Sequence, residues 1–166
     1  MTQKKVPPTE RIAASFKKVS AASADLHAAS TELNQNINAL TEALQMLDLG
    51  VAAWHRIAGG RDDENGYYWS RDVGYALVRD DWRIALRKVE GNEFADRSYS
   101  ETVWSFDKAP HFMRIESIAK LPDLLDELHE RIVETTAKLK TRSEQTQEFV
   151  AAVAQIVGQA EPTQAA

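Results

Sequence analysis

The sequence predicts an α+β protein: a long antiparallel helical hairpin, coiled-coil-like in its patterning, with a small four-stranded antiparallel β-sheet inserted between the two helices. Three observations carry this expectation. Residues 9–49 and 111–158 each place apolar side chains at alternating spacings of four and three, the signature of a helix with one apolar stripe. Between them, residues 51–109 hold five of the seven glycines and all four tryptophans.

Residues 1–8 contain Lys4, Lys5, Pro7 and Pro8 without an apolar run, and read as a flexible N-terminus. Helix one is expected over 9–49, with Thr9 as N-cap and Glu10 placed favourably for the helix dipole. Its stripe runs Ile12, Phe16, Val19, Ser23, Leu26, Ser30, Leu33, Ile37, Leu40, Leu44, Leu47, and Leu49-Gly50 supplies the stop. Only Ser23 and Ser30 break it.

The segment 50–110 reads as a sheet head of four strands, near 51–58, 67–79, 82–90 and 101–107. The hairpin through Arg79-Asp80-Asp81-Trp82 sets Leu77 opposite Ile84 and Tyr75 opposite Leu86, giving one apolar face. The other face carries Val78, Ala76, Gly74, Ala85, Arg83 and Arg87. A slip of one residue would exchange the two faces.

From residue 111 helix formers return. Pro122 predicts a short helix over 111–120 and a restart with the proline in a first turn. The second stripe is Ile118, Leu121, Leu125, Leu128, Ile132, Thr135, Leu139, Arg142, Thr146, Phe149, Val153, Ile156. Residues 159–166 read as a disordered tail. Antiparallel pairing of the two stripes sets Ser30 against Thr135 and Ser23 against Arg142, so that polar positions share layers.

The positions flanking the first stripe are small, Ala22, Ala29 and Ala43 among them, whereas a solitary two-stranded coil carries Glu and Lys there. So wide an apolar stripe predicts a further helical partner, most simply a second copy, giving a homo-oligomeric dimer of hairpins. Ala22, Ala29, Leu33, Ala43, Ile132, Leu139 and Val150 are the expected interface residues. The Ala-, Ser- and Asn-rich stretch from Ala21 to Leu44 resembles in composition the helices of bacterial chemoreceptors and other long bundles, a likeness of composition from which nothing is carried over.

The formal net charge is −5, with 43% hydrophobic and 27% charged residues. An acidic chain without a dense basic run is poorly suited to nucleic acid. With no apolar stretch of membrane-spanning length, the expectation is no membrane and a cytoplasmic setting. Cysteine is absent, which removes thiol nucleophiles and thiolate metal sites.

His27, His55, His111 and His129 are dispersed, and Asp126-Glu127-Leu128-His129-Glu130 lacks the second histidine of a zinc helix. The run Arg61-Asp62-Asp63-Glu64-Asn65-Gly66 fails calcium-loop spacing and reads as an exposed hairpin loop. We therefore expect no enzyme, no metal and no cofactor, but an interaction or scaffold protein that self-associates through its helices and presents the sheet to a protein partner. The alternative is a small anionic-ligand-binding domain on the sheet face with the small residues, using Arg83, Arg87, Gly74 and Ala76.

Overall fold

The structure, a computed structural model, describes residues 7–95 and 99–159, with side chains as far as Val157. Residues 1–6 of the expected flexible N-terminus and 160–166 of the expected tail lie outside the described residues. Helix α1 spans Pro8–Gln45, and the strands are β1 (Ala53–Asp62), β2 (Tyr67–Val78), β3 (Asp81–Asn92) and β4 (Ser100–Ser105). A 3₁₀ turn, Phe106–Lys108, leads into α2 (His111–Ile118) and α3 (Leu121–Gln159). The strands form one antiparallel sheet in the order β1-β2-β3-β4. This is the expected α+β architecture, a four-stranded sheet between two long helices.

Two ends differ from expectation. Helix α1 begins one residue before Thr9, with Pro8 in the first turn and Pro7 as an N-cap without a side-chain hydrogen bond. A proline there loses nothing, because its missing N–H would have had no helical partner. The helix also ends at Gln45 rather than Leu49, and the chain turns into the sheet through Asp48 (φ 46°) and Gly50 (φ 61°).

The β2–β3 hairpin turns at Arg79-Asp80, with φ of 51° and 70°, and pairs Val78 with Asp81, Leu77 with Trp82 and Tyr75 with Ile84. The turn therefore sits one residue earlier than expected. That moves each cross-strand partner by two, an even number, so both faces keep their members. On one face Ala53, Val73, Tyr75, Ile84 and Leu86 join Ile37 and Leu44 of α1, Met113 of α2, and Leu124 and Leu128 of α3 in a single core. Burying side chains of this size contributes about 2 kcal/mol each. Tyr75 and Trp82 stack with centroids 5.5 Å apart. Burial holds the Tyr75 hydroxyl above its ordinary range, helped by nearby Asp48.

Helix α1 packs on β3, and α3 on β1 and β2. Strand β4 ends opposite Ala85, leaving the first residues of β3 with a bare edge. There α1 substitutes for a strand: Gln45 Nε2 donates to the Trp82 carbonyl at 2.6 Å, and the Ile84 N–H donates to Thr41 Oγ1 at 3.4 Å. Edges left open are templates for misassociation, and this one is closed from within the chain.

The coil-like seam between the long helices is not formed. Ser30, expected against Thr135, instead accepts a hydrogen bond from Arg114 of α2 at 3.1 Å, and Arg142 bonds Gln145 on its own helix. The reason is α2, whose Arg114 also reaches Asn34 Oδ1 at 3.1 Å and occupies the side of α1 that α3 would need. Every residue of 8–29 and of 136–157 is exposed.

Candidate functional site

Two surfaces remain once the core is assembled: the sheet face turned away from the helices, and the free halves of α1 and α3, which we call the arms.

On the sheet face, alternation gathers Trp54 and Arg56 from β1, Ser70, Asp72, Gly74 and Ala76 from β2, Ala85 and Arg87 from β3, and Glu101 and Val103 from β4. Asp72 is the pivot, with its side chain only 6% exposed. Arg87 donates to Asp72 Oδ2 through Nε and a terminal nitrogen, both at 3.0 Å. Ser70 Oγ adds a bond at 3.3 Å, and Arg56 Nε lies 3.8 Å from Oδ1. A buried carboxylate needs such partners, since an isolated charge would cost several kcal/mol.

Arg87 in turn lies 4.4 Å above the centre of the Trp54 ring and 3.4 Å from Glu101. The indole rests on Gly74, where a Cβ would overlap it and sit 2.7 Å from the Ala53 carbonyl oxygen. Glycine is required at 74 for that close approach. Glu101 also accepts from the Tyr99 hydroxyl at 2.8 Å, a bond that raises the phenol above its usual range.

The four expected binding residues therefore do not frame an open basic groove. Gly74 lies under Trp54, Ala76 is buried, and Arg87 carries Asp72 and Glu101. Arg83 pairs with Asp81 at 2.5 Å and forms part of the wall of a polar cleft of about 180 Å³ with Thr41, Gln45 and Asp107. The residues that sequence reasoning missed are Asp72 and Trp54. An acid on the small-residue face of a central strand was the available signal, but its partners come from two other strands.

Across the sheet, Arg71 lies between the rings of Trp69 (5.1 Å) and Phe112 (5.2 Å) and pairs with Glu116 at 3.2 Å, fastening α2 to β2. His55 Nε2 lies 3.4 Å from Asp123, whose carboxyl is held below its ordinary range chiefly by the hydrogen bond from Lys120 at 3.0 Å. These groups hold elements together. Among the described residues, no three His, Asp or Glu side chains converge as a metal site would need.

On the arms, Ile12 is 68% exposed, Phe16 73%, Leu139 65% and Phe149 68%. These continue the same stripes that bury Ile37, Leu44 and Leu128 lower down. Of the seven expected interface residues, Leu33 and Ile132 pack against the core of their own chain, while Ala22, Ala29, Ala43, Leu139 and Val150 are exposed. Among the described residues, no helix is long and apolar enough to cross a membrane.

The fold and its surfaces define an α+β protein with a one-sided sheet head and two helical arms striped with unpartnered apolar residues. No family model, curated protein or solved structure matches the chain.

Proposed function

We propose that the protein is a non-enzymatic interaction or scaffold protein that self-associates through its helical arms and leaves the sheet face of its head for a protein partner. The observation that carries this reading is the exposure of heptad-spaced large side chains along both arms, with Phe16 at 73% and Phe149 at 68%. Single exposed apolar residues are ordinary, but a contiguous stripe repeated on two helices favours burial against another helix. The reading keeps the cytoplasmic setting expected from sequence.

Binding of a small anion to the sheet face draws less support. Arg87 already carries two carboxylates and Arg83 one, so an incoming anion would have to displace internal partners.

Sedimentation equilibrium tests the reading. The native chain is expected to associate at about 100 μM or below, and Phe16→Glu with Phe149→Glu to be monomeric with an unchanged fold, because both positions are exposed. A native chain that stays monomeric at that concentration overturns it.

A further inference from the structure

We infer that the arms pair in trans: the α1 arm of one chain lies antiparallel to the α3 arm of a second copy in one fixed register. This rests on the self-association proposed above and names its partner and geometry.

The register follows from the stripes. Setting Leu26 against Leu139 aligns every layer of the arms. Phe16 then meets Phe149, Ile12 meets Val153, and Val19 meets Thr146. The one polar residue of the α1 arm's stripe, Ser23, falls opposite Arg142, whose guanidinium is exposed and engages Gln145 on its own helix. Heptad polarity is consistent too, because an antiparallel pair matches each a position with a d position of its partner. The flanks bring no carboxylate or ammonium of α1 to the seam, since Ala13 and Ser20 border it on one side and Ser15, Ala22 and Ala29 on the other.

Other pairings fit less well. An antiparallel α1–α1 pair that matches Phe16 with Leu26 sets Ile12 against Ser30 and Val19 against Ser23, and a parallel one sets Ser23 against its own copy. Within one chain the arms do not cover each other, every residue of 8–29 and of 136–157 being exposed. A second copy supplies the missing surface, because the first 22 residues of α1 are clear of the head.

The surface is large enough. Ile12, Phe16, Val19 and Leu26 on one arm, with Leu139, Phe149, Val153 and Ile156 on the other, are all between 41% and 73% exposed. Counted in both copies, at roughly 100 Å² apiece, they supply about 1,600 Å², the size of an ordinary stable interface.

The chain has no cysteine, so introduced thiols report without background. Full-length Leu26→Cys and Leu139→Cys chains, prepared separately, would be mixed and treated with a short bismaleimide. The mixed dimer is expected to exceed either same-site dimer by roughly tenfold. Phe16→Cys with Phe149→Cys should repeat the result. Sedimenting dimers that give mainly Leu26–Leu26 or Leu139–Leu139 products overturn the register while leaving self-association standing. A double-cysteine chain that links internally in dilute solution overturns pairing in trans. Chains that sediment as monomers remove both this inference and the reading beneath it.

Discussion

Replacing Asp72 with alanine tests whether the open sheet face is a structural layer in its own right. The side chain is 6% exposed and accepts two charge-assisted bonds from Arg87 at 3.0 Å and one from Ser70 at 3.3 Å. Removing one partner of a fully buried ion pair costs about 3–5 kcal/mol, most of it the penalty on the charge left behind. Here that charge is Arg87, whose side chain keeps 26% exposure, a second carboxylate at 3.4 Å and the face of Trp54. These lower the expected loss to about 2–3 kcal/mol. For a chain of this size the melting temperature should fall by about 5–10 °C. Urea unfolding followed by tryptophan fluorescence measures it, with Glu101→Ala as the comparison. Glu101 is 34% exposed and more distant, so its loss should stay below about 1 kcal/mol. The reasoning is refuted if Asp72→Ala costs less than about 0.5 kcal/mol with an unchanged urea slope, or no more than Glu101→Ala.

Two further outcomes follow from local geometry. Arg79 and Asp80 both adopt positive φ, the conformation that suits Asn-Gly in a two-residue hairpin. The pair Arg79→Asn with Asp80→Gly should therefore stabilise the fold by about 1 kcal/mol in the same urea assay. The second outcome concerns acid. Because the hydrogen bond from Lys120 lowers the Asp123 carboxyl pKa in the folded chain, that contribution is present above the ordinary carboxylate range and is lost as pH falls through the lowered value. An NMR carboxyl titration should move upward in Lys120→Ala, and an unmoved midpoint would show that Lys120 is not the cause.

What was legible in the sequence was whatever depends on period. Alternation in 67–92 placed Tyr75, Leu77, Ile84 and Leu86 on one face and survived a misplaced turn, because the error moved each partner by an even number. The turn itself was harder to read, since Arg-Asp is a poor sequence signal for positive φ and only the completed hairpin imposes it. The spacing of four and three found both long helices and Pro122 found the break before α3. The stripes did not reveal which of their lengths the head would use. That depends on α2, where Arg114 takes up Ser30 and Asn34 from 84 and 80 residues earlier in the chain. The Asp72 cluster was hidden for the same reason: Trp54 and Arg87 reach it only through the registers of β1 and β3, and β1 shifts register between Arg56 and Ala58.

The bonds from Thr41 and Gln45 to the edge of β3 bear on mechanics as much as on protection. They fix the last turns of a 38-residue helix to the head, and from Thr9 to Gln45 that helix contains neither glycine nor proline at which to bend. Its exposed 22 residues extend roughly 33 Å from the sheet as a stiff lever. A tilt of about 10° where α1 meets β3 displaces the arm's tip by about 6 Å, more than one residue's rise along a helix. A partner on the arms, as proposed, would thereby be coupled to the orientation of the head, and a load on the sheet face would be felt at the far end of α1.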